Sequence, residues 1–259
     1  MTTVSHLCDF LDAFAPPRLA ADWDNVGLLV GDRLQRVSRV MTCLTVTPAV
    51  AAEAIRERAD VIVAHHPLPF RPLQRLTTDE PTGRLLLDLI RAGVAIYSPH
   101  TAFDSAAQGI NQQLAEGLGL ADIQPLVPAE DLGTGRCGRL AQAQTLGQVA
   151  ARLKQFLKIG HVAVVGDLQR PIERIGIACG SAGELLDAAV AADCDVFLTG
   201  EARLHTCYEA EARGIALLLA GHYASERFAV EKLAEILATQ FPSLANWASR
   251  DERDPLTWL

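Results

Sequence analysis

Three short stretches of the chain set imidazole beside imidazole or imidazole beside carboxylate. Asp60-Val-Ile-Val-Ala-His65-His66-Pro67 runs an apolar segment into two adjacent histidines. His100-Thr-Ala-Phe-Asp104 and His222-Tyr-Ala-Ser-Glu226 each place an acid four residues after a histidine. On a helix that spacing puts both side chains on one face, a turn apart. Imidazole with carboxylate is a donor set for zinc, iron or manganese, and the lack of thiolate argues against a purely structural zinc. His65, His66, His100, His222, Asp104 and Glu226 together exceed the needs of one closed tetrahedral site. Two metals fit better, with a carboxylate bridging them and a water between, and such a water is acidified enough to serve hydrolysis. The plain alternative for His65 and His66 alone is a hydrogen-bonded pair closing a strand. The two histidine–acid pairs further along favour ligands.

The elements that must carry these residues follow from the apolar pattern. Asp60 to Ala64 reads as a fully buried strand, and an imidazole at its C-terminal end sits where open α/β sheets place ligands. Val94 to Tyr97 is a second strand that empties into the His100 segment, and the residues after Ala220 form a helix bearing His222 and Glu226. Val4, Leu7, Leu11 and Phe14 have helical spacing, stopped by Pro16-Pro17. Asp22 to Gly27 reads as a loop entering the strand Leu28-Leu29-Val30, with Asp22 and Asp24 as turn formers. Val37 to Val46 is a strand, after which Thr47 caps a helix with Pro48 at its first position. Helices are expected around Leu85 to Ala92 and Leu146 to Leu157, and a strand over His161 to Val165. Residues 121 to 138, with Pro125, Pro128, Gly133, Gly135 and Gly138, read as a boundary.

A duplication links these elements. Arg39 to Asp60 aligns without gaps with Arg174 to Asp195 at an offset of 135 residues. Each copy continues through a helix ending in glycine, Gly93 or Gly214, to another apolar strand. The second strands lead to His100 and His222, which share an offset of 122 with Asp104 and Glu226. The fold class is therefore α/β with two similar lobes, parallel strands within each, and a C-terminal segment returning to the first lobe. The lobes are expected over 1–125 and 126–221, with 222–259 completing the first lobe and the metal site. The last strand is expected in the tail from Arg250 to Trp258. Gly180-Ser181-Ala182-Gly183, with Glu184 three residues after Ser181, reads as a capping box at a helix start, the alternative being a phosphate cradle.

Composition excludes several classes of protein. At 259 residues, 49% hydrophobic and 21% charged, the chain is ordinary globular material. No apolar run is long enough to cross a bilayer, and the N-terminus lacks the pattern of a signal peptide. A net charge of −8 argues against a surface built for phosphate backbones, so no nucleic acid and no membrane is expected as partner. The six cysteines have no Cys-x-x-Cys spacing and read as reduced residues of a cytoplasmic protein, none of them a metal ligand. Cys8, Cys43 and Cys179 fall in apolar patterns suited to core packing.

Five motifs in order, Trp23-Asp-Asn-Val-Gly27, His65-His-Pro-Leu68, His100-Thr-Ala-Phe-Asp104, Leu198-Thr-Gly-Glu201 and Gly221-His-Tyr-Ala-Ser-Glu226, resemble the NIF-three-like dinuclear-metal family. Its members are often named GTP cyclohydrolase type 2 homologues. The resemblance runs from about residue 4 to Pro255 and has the family's short form, without the domain that longer members insert. It implies two divalent metal ions per subunit at the junction of the lobes, zinc, iron or manganese, in a ring-shaped homo-hexamer. The ligands it implies are His65, His66, Asp104, His222 and Glu226, with Asp104 and Glu226 as bridges. His100 and Glu201 then orient ligands or bound water. Thr45 stands where many members carry Asp, at a position the resemblance does not make a ligand. The implied activity is a metal-dependent hydrolase of a small molecule, with opening of the GTP purine ring as the named reaction. The alternative is a non-catalytic metal-binding regulator or scaffold acting through protein partners.

Overall fold

The computed structural model describes residues 1–129 and 132–257. The chain forms two compact units, Met1–Phe103 with Ala229–Pro255 and, the residues after Pro255 aside, Asp104–Phe228. In chain order the first unit supplies α1 (Val4–Phe14), β1 (Gly27–Val30), β2 (Arg39–Cys43), α2 (Pro48–Arg56), β3 (Val61–Ala64), α3 (Pro81–Arg91), β4 (Ala95–Ser98) and most of α4 (His100–Ser105). The second contains α5 (Ile110–Gly117), β5 (Ala121–Gln124), β6 (Val127–Ala129), β7 (Leu132–Thr134), β8 (Arg136–Thr145), α6 (Leu146–Leu157), β9 (Ala163–Val165) and β10 (Pro171–Ala178). It continues with α7 (Leu186–Ala191), β11 (Val196–Thr199), α8 (Leu204–Ala212), β12 (Ala216–Leu219) and the first turns of α9 (His222–Gln240). The rest of α9 and β13 (Ala245–Ala248) count with the first unit.

The first sheet has the order β1-β4-β3-β2-β13, with β1 antiparallel to β4 and the other pairings parallel. Its central strands are buried on both faces. Met41, Ile62 and Ile96 meet Val50 and Ala54 of α2 and Leu86 and Leu89 of α3 in one cluster. Helix α2 starts as its sequence dictates: the Thr47 hydroxyl accepts from the Val50 amide at 3.3 Å, and Pro48 fills the position that needs no amide hydrogen.

The second sheet has the order β5-β8-β10-β11-β12-β9. Its β10, β11 and β12 are parallel, with β9 antiparallel to β12 and β8 antiparallel to β10. The two units repeat one another in register. Val40 faces Val61 in the first and Ile175 faces Val196 in the second, both at the offset of 135 residues. One Oδ2 of Asp60 accepts from the Ser38 and Arg39 amides, and the same atom of Asp195 from the Glu173 and Arg174 amides. The helices before β4 and β12 end alike, at Gly93 (φ +70°) and Gly214 (φ +69°), a left-handed turn that glycine enters at least cost. The repeat reaches further back than the matched sequence, because α1 and β1 correspond to α6 and β9.

Four expectations need correction. The units divide at 103/104 and 228/229 rather than at 125/126 and 221/222. Residues 121 to 138 are not a boundary: they hold β5, β6, β7 and the start of β8, and the glycines and prolines serve tight antiparallel turns. The last strand is β13, paired with β2, and not the tail from Arg250. After Ser249 donates to Thr42 O, the buried Glu53 carboxylate takes the amides of Arg250 and Asp251, and the ladder stops. Trp258 lies outside the described residues. The Ser181–Glu184 capping box is also absent: a 3-10 turn begins at Gly183, and the Ala182 amide donates to Thr199 Oγ1 at 3.4 Å instead.

Candidate functional site

In the first unit β3 delivers two imidazoles. The ladder to β2 continues past the strand, with the His65 amide donating to Cys43 O at 2.9 Å and the His66 amide to Leu44 O at 2.8 Å. This fixes both backbones before Pro67 turns the chain. The two ring centroids lie 5.1 Å apart. β4 ends beside β3 and leads through Pro99 to His100, whose ring lies 5.2 Å from that of His65 and 5.7 Å from that of His66. One ring nitrogen from each of the three lies within 4.8 Å of the others, a spacing at which they could hold a metal ion. His100 has φ +27°, a strained backbone of the sort concentrated at functional sites.

Two residues that were not assigned to the site orient these rings. Asp24 accepts from His100 Nδ1 at 2.7 Å, from the Thr101 amide at 3.1 Å and from the Thr101 hydroxyl. Burial would push the Asp24 carboxyl up, but these bonds and the charge of His100 bring it down to about 2. Asp24 is thus an ionised anchor rather than a turn former, and it leaves Nε2 of His100 for a ligand. Thr45 Oγ1 pairs with His66 Nδ1 at 2.7 Å. A carboxylate or hydroxyl behind a ring nitrogen is the usual support of a metal-binding histidine.

The second unit holds a related arrangement. Helix α9 starts at His222, one residue later in its loop than His100, since Ala220-Gly221 replaces Pro99. One turn on, Glu226 Oε2 lies 3.3 Å from His222 Nε2, while Glu201 Oε1 lies 2.9 Å from His222 Nδ1. The hydrogen bond to Glu226 raises His222 to about 9 against the opposing effect of burial, with Glu201 adding to the rise. A cation bound there replaces that proton. Gly180 (φ +65°) is required beside the pair, because a Cβ on it would come within 2.2 Å of Glu226 Oε1 and 3.4 Å of His222 Nε2.

Asp104, near the end of α4, accepts from the Cys179 thiol at 3.2 Å, and Asn111 ties Asp104 O to the Cys179 amide. Burial, reinforced by Asp104 and Glu226, pushes Cys179 well above the usual thiol range. It remains a thiol that donates to Asp104. The sequence-predicted residues therefore fall into two sets: His65, His66 and His100 in one unit, and Asp104, Glu201, His222 and Glu226 in the other.

Duplicated α/β architecture with histidine and carboxylate groups able to bind a metal defines the class of protein. The chain belongs to the Duf34/NIF3 (NGG1p interacting factor 3) family, whose sequence pattern matches residues 2–255. It is 34% identical over 274 residues to the Protein NIF3 homolog of Schizosaccharomyces pombe, covering 98% of each chain. It is 30% identical over 262 residues to the GTP cyclohydrolase 1 type 2 homolog of Clostridium perfringens, covering 99% of each. The crystal structure of a Bacillus cereus protein related to NIF3 has the same fold, with a TM-score of 0.91 at 23% identity over 100% of this chain and 99% of that one. Among the described residues no helix is long and apolar enough to cross a membrane.

Proposed function

We propose that the protein is a cytoplasmic, homo-hexameric hydrolase of a small molecule that works through two divalent cations. His65, His66, Asp104, His222 and Glu226 are the ligands in this reading. The observation that carries it is the cluster of three imidazoles in the first unit, one nitrogen of each within 4.8 Å of the others. The His222–Glu226 pair, backed by Glu201, supports it from the second unit. These donors fit zinc, iron or manganese and leave thiolate out. Bound divalent ions supply Lewis acidity and an acidified water. The chain's own residues do the positioning: Thr45 orients the ring of His66, Asp24 fixes the tautomer of His100 and Glu201 orients His222, while Cys179 steadies Asp104.

GTP is the first substrate to test, because relatives bear the name GTP cyclohydrolase. The family's description as an interacting factor supports a second reading, a metal-binding regulator without turnover. Metal content and formate release from GTP separate them, measured on stripped protein before and after adding zinc, manganese or iron. Turnover that returns with metal and is lost in Glu226→Ala supports the hydrolase. Two bound ions without turnover remove GTP and favour the regulator or another substrate. A Glu226→Ala protein with full metal content overturns the ligand set.

A further inference from the structure

Large aromatic side chains in the first unit are mostly covered, but Trp23 is 65% exposed and Phe70 45%. They belong to loops far apart in sequence, yet their rings meet edge to face at 6.0 Å. Each also meets the ring of His100 edge to face, Trp23 at 6.0 Å and Phe70 at 6.1 Å. Both loops are tied beside these rings. Asp24, next to Trp23, is bonded to His100 and Thr101, and Asn25 Nδ2 donates to the carbonyl of Pro69, next to Phe70, at 2.8 Å. Anchored backbone with uncovered aromatic faces is an arrangement that folding does not require, since burial would stabilise either ring.

We propose that Trp23 and Phe70 form a stacking platform for the planar heteroaromatic ring of the substrate, holding that ring beside His100. The proposal rests on the reading that the first unit's histidines belong to a reaction centre, and it adds the class of compound that the centre takes. A planar ring offers a π-face to an indole or a benzene ring whatever its hydrogen-bonding edge, so stacking selects flat heterocycles over aliphatic amides or simple phosphoesters. The ring is held by contact alone and needs no ion at the platform.

The test uses the full-length, metal-loaded protein, with metal content measured for every variant. GMP, AMP, UMP and flavin mononucleotide are titrated against tryptophan fluorescence, with ribose 5-phosphate as the ringless control. Trp23 is read as the difference between wild type and Trp23→Phe, and the affinity of every protein is read by titration calorimetry. At least one of the four should quench Trp23 while ribose 5-phosphate does not. Trp23→Ala should weaken that ligand on the order of tenfold, Trp23→Phe should restore most of the affinity, and both should keep their metal. The platform is overturned if no ring quenches Trp23 or if Trp23→Ala binds as wild type does. It is also overturned if Trp23 emission shifts with protein concentration, which would show a second copy of the chain covering it. Ring binding by a wild-type protein that takes up no zinc, manganese or iron would leave the platform standing and remove the metal-centre reading.

Discussion

Asp24 fixes one ring of the three-histidine cluster with a carboxylate whose side chain is fully buried. Its bonds to His100 and Thr101 are charge-assisted, and removing the charge leaves donors facing a weaker acceptor in a site closed to water. Asp24→Asn should lower stability by roughly 2 kcal/mol in urea unfolding at neutral pH. It should also move the His100 ring resonances in NMR spectra while those of His6, on the first turn of α1, stay in place. Unchanged His100 resonances would mean that the carboxylate does not orient the ring. Neither Asp24 nor Thr45 was assignable from spacing. Asp24 lies 76 residues before His100 and Thr45 lies 21 before His66. Each also resembles an ordinary loop residue, an aspartate near a turn and a threonine near a helix cap. His222 and Glu226 were legible because their partnership is local, one turn of a single helix.

At the scale of elements, two buried carboxylates secure the chain after β13. Glu53 on α2 accepts from Trp247 Nε1 at 3.1 Å, from Ser249 Oγ at 2.6 Å and from the amides of Arg250 and Asp251 at 3.0 Å. Glu252 takes the amides of Leu44 and Thr45, so the tail holds the very turn from which Thr45 reaches His66. Burial alone would push the Glu53 carboxyl up, but the four donor groups hold it below the usual range. A carboxyl lowered in the folded state stabilises the fold fully above its unfolded pKa, about 4.3, and loses that contribution as pH falls through the folded value. Glu53→Gln should therefore be less stable than wild type by a constant margin above about pH 5, and the margin should narrow in acid. Urea midpoints of both proteins between neutral pH and pH 3 check this. A margin independent of pH would show that charge contributes nothing there. The tail's polar residues carry no strand periodicity, and carboxylates supplied from α2 and from the tail itself decide its path.

At the scale of the molecule, the repeat explains why so much of the fold could be read. Asp60 and Asp195 do the same work on the same two preceding amides, and β2–β3 and β10–β11 pair in the same register. Identical spacing in the sequence therefore meant identical pairing in the fold. The unit boundaries were not legible, because α4 and α9 each run through a division that no turn residue marks. Two self-contained cores also make the metal proposal sharply testable. If these residues are ligands, His66→Ala and Glu226→Ala should each lose at least one ion per chain. Each should also lose most of the rise in melting temperature that metal gives the wild type, since binding energy acts on the fold through the ligands it joins. Combining them should do little more than the worse single change, the signature of groups acting as one unit. Cys137→Ser, a change in the hydrophobic core of the second unit, should keep full metal content. Metal lost from the Cys137→Ser protein would bring thiolate ligation back. Additive losses in the double variant would mean that His66 and Glu226 hold different ions independently.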